Sequence, residues 1–176
     1  SGKRKVLILG SGCGGIYVLR HLVRSLNRNE NVATTLISDE NFFLFSPLLH
    51  EVATGRIETR HIAYPIRKLH WRDRFSFFQA NIGEIDLSRR LVITPQGSFD
   101  FDYLVLALGS VTDTSELERL GPEQQVFTLK TLHDSRLIKN RIIELFERAS
   151  TQNQADIRKQ LLTFVVCGGG YTGVQL

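Results

Sequence analysis

Lys5–Leu9 is an unbroken apolar run, the pattern of a strand covered on both faces within a parallel sheet. Glycines follow, and then Ile16, Val18, Leu19, Leu22 and Val23 recur at helical spacing. Polar residues over Asn27–Asn31 close that helix, and Val32–Ile37 reads as a second strand. A strand, a helix and a strand this close together form a crossover unit whose strands run parallel.

Phe42–Ala53 is apolar without a period and is broken by Pro47, so it reads as an irregular segment lying under the core or against a flat cofactor. Arg74–Ala80 reads as a strand. Leu91–Thr94 and Phe99–Asp102 flank the turn Pro95-Gln96-Gly97 as a hairpin, and Tyr103–Leu108 is a further buried strand. Past Gly109 the pattern changes. Val126–Leu129 reads as a short strand. Asp134–Arg148 reads as an amphipathic helix with Leu137, Ile138, Ile142, Ile143, Leu145 and Phe146 turned inward. Ala155–Leu161 is helical, and Leu162–Val166 is a strand running into a second glycine cluster. The chain stops at Leu176 inside a pattern that demands continuation, so it reads as the N-terminal part of a longer protein.

Composition narrows the classes. The 176 residues are 42% hydrophobic and 23% charged, which is globular rather than disordered. The net charge is only +4. The basic stretch Arg60, His61, Arg67, Lys68, His70, Arg72, Arg74 reads as a solvated face or an edge near an anionic cofactor. Without zinc spacing or an aromatic-rich basic repeat, nucleic acid is not an expected partner. No run approaches the roughly 18 apolar residues of a membrane-spanning helix. Cys13 and Cys167 stand far apart in glycine-rich or apolar segments, which fits a reducing compartment and no metal site.

The chemistry sits in the glycines. Gly10-Ser11-Gly12-Cys13-Gly14-Gly15 is a G-x-G-x-x-G between a strand and a helix. Gly10 permits the sharp turn, Gly12 leaves room for a pyrophosphate, and Gly15 lets helix and strand approach. The helix N-terminus offers free N–H groups to phosphates. Asp39, just past the second strand, is placed to accept a ribose hydroxyl. Gly168, Gly170 and Gly173 repeat the motif after Leu162–Val166. Two such motifs call for two dinucleotides, a flavin that stays and a nicotinamide that visits. The fold class is accordingly α/β. A Rossmann-like FAD-binding domain over 1–111 has a parallel sheet and a β-hairpin or meander insertion, and a second Rossmann-like NAD(P)-binding domain begins at 112–176.

The stretches KVLILGSGCGGIYVLRHL, ENFFLFSPLLHEVATG with IAYPIR beyond it, FDYLVLALGS and LLTFVVCGGGYTGVQL resemble the type II NADH dehydrogenases, single-chain NADH:quinone oxidoreductases. The resemblance implies FAD at Gly10, Gly12, Cys13, Gly14 and Gly15 through its pyrophosphate, and at Ser38 or Asp39 through its ribose. It implies Ile82 beside adenine, Pro47 and Leu48 beside the flavin, and Ala107, Leu108 and Gly109 as the returning strand end. NADH, the substrate, would dock at Gly168, Gly170 and Gly173, and a quinone would take the electrons. The whole protein would sit peripherally on the cytoplasmic side of a membrane, attached through a segment beyond Leu176, with a homodimer as a further expectation.

The chain departs from that family at several positions. Ser38 stands where the family has its ribose-binding acid, Leu108 where a Thr is common, Tyr171 for a Pro, and Gln175 for a Glu. No acid–base catalytic residue is nominated, because hydride transfer is the cofactors' chemistry. His50 reads as a packing or solvent-facing residue. Disulfide reductases are disfavoured because no paired cysteines are present. Sulfide:quinone or ferredoxin-reductase-like enzymes, and a non-catalytic nucleotide-binding flavoprotein, stay open as alternatives. The chain alone is expected to be inactive and to hold FAD poorly.

Overall fold

A computed structural model describes residues 2–26, 31–113 and 126–176. The chain divides into two compact units, one of residues Ser1–Phe45 and Ala63–Ser110, the other of Ser46–Ile62 and Val111–Leu176.

In the first unit, β1 (Arg4–Leu9), α1 (Cys13–Ser25) and β2 (Val32–Ser38) form the expected crossover. β1 pairs in parallel with β2, with Lys5 opposite Ala33 and Leu9 opposite Ile37. β5 (Ser76–Gln79) and β9 (Tyr103–Leu106) complete a parallel sheet in the order β5-β2-β1-β9. The apolar run of β1 is continuous because both faces are covered. Leu7 and Leu9 join Ile37, Val92 and Phe101 on one side. Ile8 joins Leu19 and Val23 of α1, with Leu36 and Ile66, on the other. Complete burial of each such side chain contributes about 1.5–3 kcal/mol.

A three-stranded antiparallel meander of β6 (Glu84–Asp86), β7 (Leu91–Thr94) and β8 (Gly97–Asp100) supplies Val92 to the first of these clusters. Its hairpin turn is tighter than the sequence suggests. Thr94 faces Gly97 across it, so the second strand begins at Gly97 rather than Phe99. Gly97, at φ +144°, makes that early return possible. Two three-residue strands, β3 (Phe42–Leu44) and β4 (Ala63–Pro65), pair antiparallel. β3 occupies the start of what reads as the irregular segment Phe42–Ala53 and β4 lies beyond it, each too short to give a period.

The second unit holds α2 (Leu49–Ala53), α3 (Leu132–Ser150), α4 (Ala155–Leu161) and α5 (Tyr171–Gln175). Expectation and structure part at three places. Val126–Leu129 is irregular rather than a strand. Leu162–Val166 pairs with nothing among the described residues, and Val165 is 81% exposed. A strand exists only as a rung of a ladder, so an apolar run without a neighbour stays irregular. On α3, Leu137, Ile143 and Phe146 are exposed rather than inward, and the fully covered residues are Ser135 and Ala149. α2 and α4 pack on this helix and leave those three side chains uncovered. Of the expected closing turn after α1, residues 27–30 lie outside the described residues.

Candidate dinucleotide-binding loops

The first glycine turn is held by contacts that only glycine permits. Gly10 sits at φ +103°, and a β-carbon on it would strike the carbonyl of Ala107. A β-carbon on Gly15 would strike the carbonyl oxygen of Gly10. Around Gly12, by contrast, nothing lies within 4 Å of where a β-carbon would stand. The tight contacts fix the loop and leave the space beside Gly12 open.

Gly12 is also the N-cap of α1. No side chain caps that helix and its first turn carries no acid. The contrast with α3 is instructive. There Thr131 accepts from the Asp134 N–H and the Asp134 carboxylate returns to the Thr131 N–H, a complete capping box. The bare N–H groups of α1 are what an anion binds. Cys13, the first residue of α1, is exposed.

Ser38 and Asp39 touch at the end of β2, the Ser38 hydroxyl reaching Asp39 Oδ1 at 3.3 Å, but they differ in burial. The Ser38 hydroxyl is buried and lies 2.9 Å from the Ser11 hydroxyl, while the Ser11 N–H also reaches it at 3.3 Å. Asp39 is exposed, with Oδ1 accepting the Glu40 N–H at 3.0 Å. Burial raises the Glu40 carboxyl above its ordinary value, and the neighbouring Asp39 charge adds to the rise. Ser11, Glu40 and Gln79, which donates to the Asp39 carbonyl at 2.9 Å, are participants that the motif does not reveal. Only the small polar residue inside the glycine turn hints at Ser11.

Ala107 comes against the loop directly. Its N–H donates to Leu9 at 2.8 Å, and its β-carbon lies 3.6 Å from the β-carbon positions of Gly14 and Gly15. Leu108 is 56% exposed and Gly109 adopts φ +75° in open space, so β9 ends two residues short of the expected Leu108. Ile82 is half-buried against the cluster of Leu7 and Leu9. Pro47 and Leu48 lie in the second unit, in a short 3-10 turn over Ser46–Leu48.

The second loop repeats the first in part, since a β-carbon on Gly168, unlike one on Gly10, would meet nothing within 4 Å. Gly168 has φ +117°, a β-carbon on Gly173 would strike the Gly168 carbonyl oxygen, and Gly170 has nothing within 4 Å. In the same unit, His50 is 3% exposed and meets Tyr171 edge-on, with ring centroids 6.3 Å apart. Its two ring nitrogens have no hydrogen-bond partner; Glu51 Oε1 stands 3.6 Å from Nε2, beyond bonding range. His50 is thus a packed residue.

The basic stretch 60–74 does not act as one face. Arg72 donates to the Phe75 carbonyl at 2.8 Å and covers its ring, Arg74 reaches the Val23 carbonyl at 3.3 Å, and Arg60 pairs with Glu58. No trio of His, Cys, Asp or Glu is grouped for a metal among the described residues.

The pyridine nucleotide-disulphide oxidoreductase family model matches residues 4–176. This chain belongs to that family. Among its relatives, the external alternative NAD(P)H-ubiquinone oxidoreductase B4 of Arabidopsis thaliana mitochondria is 37% identical, over 98% of this chain and 31% of that protein. The type II NADH:quinone oxidoreductase of Staphylococcus aureus is 30% identical, over 98% of this chain and 42% of that protein. The chain therefore spans 31% to 42% of the length of these relatives. The fold also matches NDH2 from Plasmodium falciparum, with a TM-score of 0.73 at 24% identity, over 90% of this chain and 32% of that one. The α/β class with a parallel sheet is the family's own.

Proposed function

We propose that this chain is the dinucleotide-binding front of an FAD-dependent NADH:quinone oxidoreductase, with FAD at the first loop and NADH at the second. The observation that carries the reading is the repeat of one loop geometry, Gly10 against Gly15 and Gly168 against Gly173, in a single chain. The names of the Arabidopsis and Staphylococcus relatives, both quinone reductases that use a reduced nicotinamide, support the donor and the acceptor.

In this reading the FAD domain covers 1–111 and the nicotinamide domain begins at 112. The uncapped N–H groups at Cys13, Gly14 and Gly15 hold the pyrophosphate, and Gly12 gives it clearance. Asp39 takes the ribose hydroxyl, because the Ser38 oxygen is buried against Ser11. Backbone at Ile82 borders adenine, Pro47 and Leu48 lie beside the flavin, and Ala107, Leu108 and Gly109 contribute the returning strand end. FAD, when bound, takes a hydride from NADH and passes the electrons to a quinone. The protein supplies position, and no side chain in either loop is assigned a proton.

A peripheral place on the cytoplasmic side of a membrane and a homodimer belong to the same proposal. No helix among the described residues is long and apolar enough to cross a membrane.

The test uses the whole protein that carries this chain. NADH should bleach the flavin's visible absorbance rapidly, and a quinone should restore it. A flavin that NADH leaves oxidised overturns the reading.

A further inference from the structure

We propose that the cleft where the loop after α2 meets α3 binds an organic phosphate, through residues that belong to neither glycine loop. The open cleft has a volume of about 640 Å³, and Arg60, Arg136, Lys139, Thr59, Asn140 and the Glu58 carboxylate line it.

Charge is the first argument. Arg60 is neutralised by Glu58, Nε to Oε2 at 2.8 Å. Arg136 and Lys139 meet no carboxylate among the described residues. Elsewhere on α3 the arrangement is opposite, with Arg141 and Arg148 both on Glu144 at 2.9 and 3.4 Å. Arg56 likewise sits on Glu51 at 3.2 Å. The helix thus pairs its cations on one side and leaves two bare where it lines the cleft. Those two stand one turn apart and act on the same space. Two unneutralised cations call for a divalent anion, which a phosphate monoester is and a single carboxylate is not.

Positioning is the second argument. Gly55 closes α2 at φ +77°, its N–H donating to Val52 at 3.0 Å. The Lys139 stem runs across that glycine, Cε lying 3.4 Å from where a β-carbon would stand. Laying the stem against the backbone removes freedom that a surface lysine ordinarily keeps, so less is lost on binding. The Thr59 hydroxyl and Asn140 amide supply neutral donors, and the Arg136 fork matches phosphate oxygens. Val52, fully covered, and Ile57 form an apolar wall for the organic part. Free phosphate esters and the phosphate of an acidic lipid share this chemistry.

The experiment follows backbone amides of the isotope-labelled chain by NMR during titration with glycerol 3-phosphate. A parallel arm measures sedimentation with phosphatidylcholine vesicles with and without phosphatidic acid. The ester should shift the amides of 57–60 and 136–140 saturably, and Arg136→Gln with Lys139→Gln should weaken binding about tenfold or more. The two single variants should each give part of that loss, which keeps the test sound if the double variant does not fold. Binding to the acidic vesicles alone, lost in the variants, supports the site and assigns a lipid headgroup. The proposal is overturned if neither probe binds, if shifts are confined to Gly10–Gly15, or if the variants bind as well as the parent.

Discussion

The Ser11 and Ser38 hydroxyls lie 2.9 Å apart, both buried, and tie the first glycine turn to the end of β2. The Ser11 hydroxyl reaches on to the Phe42 carbonyl at 3.1 Å, so the bond belongs to a short network. Removing Ser38 takes away the oxygen that the Ser11 N–H reaches and leaves the Ser11 hydroxyl only the Glu40 and Phe42 carbonyls. Ser38→Ala is expected to cost about 1–2 kcal/mol, read as a lower melting temperature. An unchanged melt would mean the pair contributes nothing.

Asp39 is expected to behave the other way. It is exposed, so Asp39→Ala should leave stability within about 0.5 kcal/mol. The same change should weaken binding of ADP-ribose, which carries the ribose and pyrophosphate without a flavin. Calorimetry of both variants separates the roles. A ligand defect in Ser38→Ala with normal binding by Asp39→Ala would move the ribose to Ser38.

His50 carries two buried ring nitrogens without partners. Each buried polar group left unsatisfied costs about 1–3 kcal/mol. His50→Phe keeps the ring against Tyr171 and removes both groups, so the melting temperature should rise. A fall would mean that the imidazole has a partner which Phe cannot replace.

The capping box of α3 gives a prediction with a pH signature. Thr131→Ala should cost about 1 kcal/mol. Burial works to raise the Asp134 carboxyl, but hydrogen bonds from the Lys130 and Thr131 amides and from the Thr131 and Thr128 hydroxyls outweigh it. The carboxyl is held below its ordinary value in the folded chain. Its contribution is therefore complete above the unfolded value, near pH 4, and fades as acid takes the pH down through the lower folded value. Asp134→Asn should lower stability at neutral pH and flatten that acid limb. A parallel limb in the variant would exclude Asp134 as its source.

How far the sequence could be read depended on whether a signal was local. β1, α1 and β2 were legible because strand, glycines and helix each carry their own pattern. The parallel sheet followed from that pattern, and Leu7 and Ile8 falling into separate core clusters explains why β1 shows no alternation. β3, β4 and β6 were not legible, since three residues cannot establish a period. Leu162–Val166 misled because an apolar run specifies burial only when a neighbour covers it. In the candidate site, the close contacts of Gly10 and Gly15 were legible in the motif, and the burial of Ser38 beside an exposed Asp39 was not. It depends on Ser11, far away in sequence and in contact only after folding.

The most direct test of the FAD assignment compares Gly12→Ala with Gly15→Ala. A β-carbon at Gly12 meets nothing within 4 Å, whereas at Gly15 it meets the Gly10 carbonyl. Gly15→Ala should therefore unfold or distort the loop, and Gly12→Ala should melt like the parent. The deciding measurement is an NMR titration of FAD into the parent chain and into Gly12→Ala. Weak but saturable shifts at Gly10–Gly15 in the parent, lost in a Gly12→Ala variant of unchanged stability, are expected. FAD shifts that avoid Gly10–Gly15, or that persist in Gly12→Ala, would contradict the assignment of FAD to the first loop.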